Sequence, residues 1–267
     1  MNFTSPIVEE YVAHGRSADC PVINTHAHFG PYKAIYFPMD APEQVLHTMD
    51  ACGVRWLIAA AHGALVDTDR GNKEFAEVIA RYPDRLKGYW AINPGYPERV
   101  VREVAAFEQF EGFVGFKFLS DYYQYPITGP NYAPALEYAN EHGLPILLHT
   151  WGGSPYDGPD VVEETARRYP NARLLMGHAG YGEWERASQV ARDYPNVFLE
   201  LTAAYRVRGA LEIMVRVAGS EKITFGDDHP WFDPRYGIGG VLFAHISDED
   251  RRNILYRNAQ RVFGLPV

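Results

Sequence analysis

Two histidines separated by one residue, His26 and His28, close a short apolar run near the start of the chain. Residues two apart on a β-strand point to the same face, so both imidazoles can approach one cation. Imidazole suits zinc, iron and nickel, and a carboxylate completes such a site. The pair alone is more often a set of ordinary polar residues at a strand end, so the metal hypothesis needs support from elsewhere in the chain.

That support comes from polar residues that close or lie within later apolar runs. They are Lys117, His149, His178 and the pair Asp227-Asp228. Histidine and aspartate side chains can bind a metal or move a proton, and a lysine ammonium can bind an anion. Such residues would meet at one place if their runs were neighbouring strands of a barrel, because active sites of (β/α)8 barrels lie at the carboxyl ends of the strands.

Eight short apolar runs recur along the chain, each followed by a helix-like segment. They cover residues 22–25, 56–60, 88–92, 113–118, 146–149, 173–176, 197–201 and 223–225. Strands covered on both faces read as near-continuous apolar runs, as parallel strands do. Strands that alternate with helices at a ~30-residue spacing indicate βαβ units. Their number favours a closed (β/α)8 TIM barrel that spans residues 1–267 as a single domain, near the ~250 residues typical of this fold.

Helix boundaries follow recognisable signals. Asp40 is predicted to cap a helix that Gly53 ends. Ser247, three residues before Asp250, resembles a capping box, and Gly264 can close the final helix.

Composition excludes several classes of protein. A net charge of −9 argues against nucleic acid as the main partner. No apolar run approaches the ~20 residues of a membrane span, and the first residues lack the pattern of a signal peptide. Cys20 and Cys52 form no C-x-x-C motif and are expected to be reduced and buried. The sequence therefore predicts a cytoplasmic protein that acts on a small molecule, with a homodimer expected on frequency alone.

Several segments together resemble the amidohydrolase superfamily, within it the amidohydrolase-related branch of hydrolases and decarboxylases. They read INTHAHFG, GFKF, PILLHTWGG, LLMGHAG, ITFGDDHPWF and NILYRNAQRVFG, and they follow the family order over nearly the whole chain. The family's strand-eight motif usually has a small hydroxyl residue before its aspartate. Here Asp227 takes that place, which adds a second carboxylate beside the family aspartate, Asp228.

The resemblance implies a metallo-dependent barrel with a divalent ion, most simply Zn²⁺, with Mn²⁺, Fe²⁺ or Ni²⁺ as alternatives. It implies that the ligands are His26, His28, His149 and Asp228. Asp228 would also move a proton, and His178 would be either a ligand or a neutral donor to the substrate carbonyl. Metal-bound water has a pKa near ~7, so such a site can generate hydroxide at neutral pH.

Three further residues are candidates for a second metal or for substrate binding. Binuclear relatives carry a carbamylated lysine at the place of Lys117, whereas in one-metal relatives a lysine there binds a substrate anion or pairs with an acid. Trp151 follows the fifth run, where an aromatic wall would suit a ligand pocket. Arg206 follows the seventh run and could clamp a carboxylate.

The ligand set serves more than one reaction. The leading expectation is metal-assisted hydrolysis of a small amide, lactone or ester. The alternative is non-oxidative decarboxylation of an aromatic or unsaturated acid, which the aromatic loops and arginines would suit. Two further alternatives are a metal-free lactonase and a non-catalytic binding protein.

Overall fold

A computed structural model describes residues 5–32 and 35–267 of the chain. In these ranges eight parallel strands hydrogen-bond in the order β1-β2-β3-β4-β5-β6-β7-β8. The strands are β1 (Val22–Phe29), β2 (Val54–Ala61), β3 (Leu86–Ala91), β4 (Phe113–Phe118), β5 (Pro145–Trp151), β6 (Arg173–Tyr181), β7 (Val197–Glu200) and β8 (Ile223–Thr224). Sequential order with parallel pairing is the topology of a (β/α)8 barrel, so the predicted fold is confirmed.

Hydrogen bonds between β1 and the segment that follows β8 bring the two ends of the sheet together. The Thr25 amide donates to the Phe225 carbonyl at 2.8 Å, and the His28 amide donates to the His229 carbonyl at 2.6 Å. The first strand and the last loop are therefore joined at the same edge of the barrel that carries the histidine pair.

Helices alternate with the strands. They are α1 (Pro6–His14), α2 (Pro42–Cys52), α3 (Thr68–Arg81), α4 (Pro97–Phe107), α5 (Ala133–His142), α6 (Pro159–Arg168), α7 (Trp184–Asp193), α8 (Ala210–Ala218), α9 (Pro234–Leu242), α10 (Asp248–Arg252) and α11 (Asn258–Phe263), with a π-helical turn at Asn253–Arg257 between the last two. The main core joins strand residues such as Leu57 to helix residues such as Phe75 and Val100, so it lies between the strands and their helices.

Most of the predicted helix boundaries are confirmed. Gly53 and Gly264 end their helices in the left-handed conformation, and Ser247 forms the capping box with Asp250. The predicted cap at Asp40 is wrong. Ala41 is the residue before the helix, and it is extended because it precedes a proline.

Four strands extend past their predicted carboxyl ends: β1 runs to Phe29, β2 to Ala61, β5 to Trp151 and β6 to Tyr181. Trp151 therefore closes a strand instead of following one. Cys20 and Cys52 are buried free thiols, as expected. Among the described helices, we find none with the length and apolar character of a membrane span. Residues 1–4, part of the segment examined for a signal peptide, lie outside the described residues.

Candidate metal centre

Three side chains from the two ends of the sheet form what we call the strand-one group: His26, His28 and Asp228. Their ligand atoms all lie within 4.8 Å of one another. Asp228 Oδ1 is 3.1 Å from His28 Nε2 and 3.4 Å from His26 Nε2. The backbone fixes this approach, because the Asp228 amide donates to the His26 carbonyl at 2.9 Å.

The outer nitrogen of His26 is held by a buried carboxylate. His26 Nδ1 lies 2.5 Å from Glu200 Oε2, and on the other side of the ring Lys117 Nζ lies 3.1 Å from Nε2. Burial raises the pKa of Glu200 to about 8. With Glu200 ionised and Lys117 protonated, the carboxylate accepts and the ammonium donates, an assignment that puts the hydrogen on Nδ1 and the lone pair on Nε2. Burial, followed by the charge of Lys117, holds the pKa of His26 well below its usual value, which keeps the ring neutral.

This arrangement suits a divalent cation. The lone pair of His26 Nε2 and the carboxylate of Asp228 are both acceptors, and they face each other across 3.4 Å. Asp228 Oδ1 and His28 Nδ1 are buried without a hydrogen-bond partner. Converging acceptors are stabilised by a positive charge, which the Lys117 ammonium supplies here and a bound cation would supply in its place. Two imidazoles with one carboxylate are a donor set that transition metals accept.

Lys117 is buried in β4 within this neighbourhood. Burial lowers the pKa of Lys117 to about 8, although the carboxylate of Asp228 opposes that shift. Its ammonium group and a cation on His26 would compete for the same lone pair, the one at Nε2. Carbamylation and anion binding by Lys117 both stay predictions.

A second acid–histidine cluster, the strand-five group, consists of Asp121, His149 and Asp157. His149 Nδ1 lies 3.0 Å from Asp121 Oδ1 and 3.9 Å from Asp157 Oδ2. Burial alone would lower the pKa of His149, but the two carboxylates outweigh it and raise that pKa. The structure therefore places His149 in a group of its own beside the strand-one group, and its role as a ligand to the same metal stays a prediction.

His178 lies between the two groups. The centre of its ring is 5.1 Å from that of His26 and 4.6 Å from that of His149. Burial and the neighbouring His149 hold the pKa of His178 well below its usual value. Its φ is +64°, and Asp228 has the same value. Left-handed backbone at residues other than glycine costs about 1–3 kcal/mol and is concentrated at functional sites.

Aromatic side chains form walls on both sides of the histidines. Trp151 stacks on His149 with 5.7 Å between the ring centres and meets the edge of His178 at 5.5 Å. On the opposite side His62 stacks on His28 at 4.9 Å and accepts a 3.0 Å hydrogen bond from Trp231 Nε1. Flat walls with a few polar groups are typical of pockets for planar ligands.

Arg206 is exposed, and its guanidinium lies over the ring of Phe232 at 5.2 Å. Its predicted role as a carboxylate clamp is not tested by this placement.

The structure separates the two neighbouring aspartates after β8. Asp227 Oδ1 accepts hydrogen bonds from Asn24 Nδ2 at 2.7 Å and from the His229 amide at 2.8 Å. Asp227 is not part of the strand-one group, and burial raises its pKa to about 8. Asp228 is therefore the carboxylate that faces the two histidines.

Three residues that contact these histidines were not predicted from the sequence: Glu200, Asp121 and Asp157. Glu200 could have been identified from its position. A carboxylate within the apolar seventh run is expected to be buried in a barrel strand, where it requires a partner. Asp121 and Asp157 follow β4 and β5 in irregular segments, where no spacing rule brings them to His149.

Comparisons with known proteins bear on the family and the fold. The amidohydrolase family model matches residues 23–265. A gamma-resorcylate decarboxylase of Polaromonas sp. strain JS666 is 24% identical over 85% of this chain and 88% of its own length.

Two solved structures share the fold. A 2,6-dihydroxybenzoate decarboxylase in complex with 2,6-dihydroxybenzoate has a TM-score of 0.74 at 19% identity, covering 92% of this chain and 99% of its own. A dihydroxybenzoic acid decarboxylase from Polaromonas sp. JS666, with bound manganese and the inhibitor 2-nitroresorcinol, has a TM-score of 0.73 at 18% identity, covering 91% and 97%.

These relatives correct the order of the functional expectations. The expectation of metal-assisted hydrolysis is wrong, because the curated relatives are decarboxylases. The physical reason is that the same ligands serve both reactions, so the residues that carry the metal could not decide between water attack and loss of CO2.

Proposed function

Because the chain belongs to the amidohydrolase family, we propose that it is an enzyme that catalyses metal-dependent, non-oxidative decarboxylation of an aromatic carboxylic acid of the hydroxybenzoate type. The observation that carries the proposal is the strand-one group, in which acceptors on His26 and Asp228 face each other across 3.4 Å. The named reactions of the relatives supply the reaction class.

We propose His26, His28 and Asp228 as ligands of a divalent cation, with His149 as the fourth. The cation when bound supplies a Lewis acid that polarises the substrate oxygens. The zinc expected from the sequence stays a prediction, and manganese is the first alternative, because the Polaromonas decarboxylase binds it.

The chain's own residues would handle the proton. Asp228 takes the proton from a substrate hydroxyl and delivers it to the ring carbon that bears the carboxylate. The bond between that carbon and the carboxylate breaks, its electron pair stays on the ring, and CO2 leaves; the ring oxygen then regains a proton from solvent. His178, held neutral by burial, donates an N–H to a substrate oxygen.

The walls of the site suit such a substrate. Trp151 lies against His149 and His178, so a planar ring could stack there. Lys117 is proposed to bind the substrate carboxylate, and exposed Arg206 to attract the anion at the mouth of the site.

The test is CO2 release from a panel of hydroxybenzoates, with protein loaded with Mn²⁺ or Zn²⁺ and with chelated protein. We expect release from at least one dihydroxybenzoate, and we expect chelation to abolish it. Loaded protein that releases no CO2 from any member would contradict the proposal. CO2 release that survives chelation would remove the metal from the mechanism.

Three other expectations stay predictions. They are the homodimer, the cytoplasmic location and the assignment of residues 1–267 to one domain.

A further inference from the structure

Glu200 is a fully buried carboxylate at the end of β7 whose two oxygens have different partners. Oε2 lies 2.5 Å from His26 Nδ1. Oε1 accepts two hydrogen bonds, from the Thr202 amide and the Thr202 hydroxyl, each at 2.8 Å. Thr202 thus fixes the rotation of the carboxylate and leaves Oε2 for the imidazole.

The backbone of two glycines packs closely against this pair. A Cβ on Gly226 would lie 2.2 Å from Glu200 Oε1 and 2.6 Å from His26 Cβ. A Cβ on Gly177 would lie 3.2 Å from His26 Cε1 and 2.5 Å from the Leu148 carbonyl. The imidazole therefore lies in a slot between two glycines, with Glu200 at its outer nitrogen.

We propose that Glu200 is a positioning residue: it fixes His26 in the tautomer with hydrogen on Nδ1, so that the Nε2 lone pair is available to a divalent cation. The part of this inference that concerns metal affinity rests on the proposed function. A metal-binding histidine whose outer nitrogen donates to a carboxylate has a fixed ring and a more basic inner nitrogen.

Glu200→Gln is the informative substitution, because glutamine has nearly the same shape. The Thr202 amide, 2.8 Å from Oε1, can only donate, so the glutamine oxygen is expected to face Thr202 and its NH2 group to face His26. The imidazole then has to accept at Nδ1 and carry its hydrogen on Nε2, the nitrogen meant for the metal. Glu200→Asp keeps the acceptors and serves as the conservative variant.

Glu103→Gln is the matched control. Glu103 is also buried and also accepts a hydrogen bond from a threonine hydroxyl, that of Thr68, but it lies on α4 outside both groups.

The first measurement is the tautomer of His26 in metal-free protein, read from ¹⁵N spectra of histidine-labelled protein and assigned with a His26 variant. We expect hydrogen on Nδ1 in the wild type, Glu103→Gln and Glu200→Asp, and on Nε2 in Glu200→Gln. An unchanged tautomer in folded Glu200→Gln would overturn the inference. This measurement needs no metal, so its result does not depend on the proposed function.

The second measurement is the affinity for Mn²⁺ and Zn²⁺ by competition with a chelating dye. We expect Glu200→Gln to bind about 10- to 100-fold more weakly, with partial recovery in Glu200→Asp. Glu103→Gln should match the wild type. Equal affinity in the wild type and Glu200→Gln would overturn the role in metal binding. If Glu200→Gln fails to fold, Glu200→Asp decides: wild-type affinity together with a changed tautomer would contradict the proposal.

Discussion

The strand-one and strand-five groups place acids around histidines by different means. The first takes His26 and His28 from β1 and Asp228 from a segment bonded to that strand, and the carboxylate that contacts His26 from outside the group, Glu200, is on β7. In the second group only His149 is on a strand. Its carboxylates follow β4 and β5, and the Asp121 side chain is 31% exposed.

This difference separates rigid positioning from adjustable positioning. The backbone of these acids is hydrogen-bonded into the barrel, so a cation there would meet a more nearly preformed site. An acid in a partly exposed loop can be replaced by water at lower cost. A carboxylate that contacts the imidazole should therefore contribute more to metal affinity at His26 than at His149.

The largest effect on turnover should come from Asp228, which is proposed both to bind the cation and to transfer the proton. Asp228→Asn should lower the turnover for CO2 release by about 100- to 10,000-fold, because proton transfer is lost. Asp227→Asn is the matched control, since Asp227 lies next in the chain but bonds to Asn24 and the His229 amide. Equal losses in the two variants would remove the special role of Asp228.

Lys117 gives the strand-one group a pH dependence. Its pKa is about 8, so the ammonium form prevails below pH 8 and opposes a cation at His26 Nε2, 3.1 Å away. Metal affinity should rise about tenfold from pH 7 to pH 9 as the ammonium loses its proton. In Lys117→Met, measured in the same buffers, the rise should be smaller, and the part that remains is assigned to Glu200, whose pKa burial raises to about 8. A rise of equal size in both proteins would show that another group causes it.

Asp121→Asn tests the strand-five group directly. We expect metal affinity to fall only a few-fold, clearly less than for Glu200→Gln, because water can reach the position of Asp121. Chelator competition with both variants side by side gives the ratio. A larger loss for Asp121→Asn than for Glu200→Gln would reverse the comparison.

The smallest effect is expected at Trp151, which stacks on His149. Trp151→Leu should raise KM for an aromatic acid a few-fold with little change in kcat, since aromatic pairs contribute about 0.5–1.5 kcal/mol. Steady-state kinetics on the best substrate of the panel measures it. A fall in kcat with unchanged KM would assign Trp151 to the chemical step instead.

The barrel and the strand-one group could be predicted because the repeat of apolar runs and the spacing of the two histidines indicate them. Apolar runs that alternate with helices indicate the fold, and the two-residue spacing of His26 and His28 puts both on one face. Asp228 was identified through its family motif, but only the backbone geometry after β8 separates it from Asp227.

The rest depends on three-dimensional contacts that leave no local pattern. Asp121 reaches His149 across 28 positions through an irregular segment, and the Glu200–Thr202 pair gains meaning only when β7 brings it to His26. The reaction type was beyond the residues altogether, since hydrolysis and decarboxylation use the same ligands.

The most direct test of the central claim is the position of Mn²⁺ in crystals of the loaded protein, located by anomalous scattering. We expect one strong peak within about 2.0–2.4 Å of His26 Nε2, His28 Nε2 and an oxygen of Asp228. A peak among Asp121, His149 and Asp157 with none at the strand-one group would contradict it.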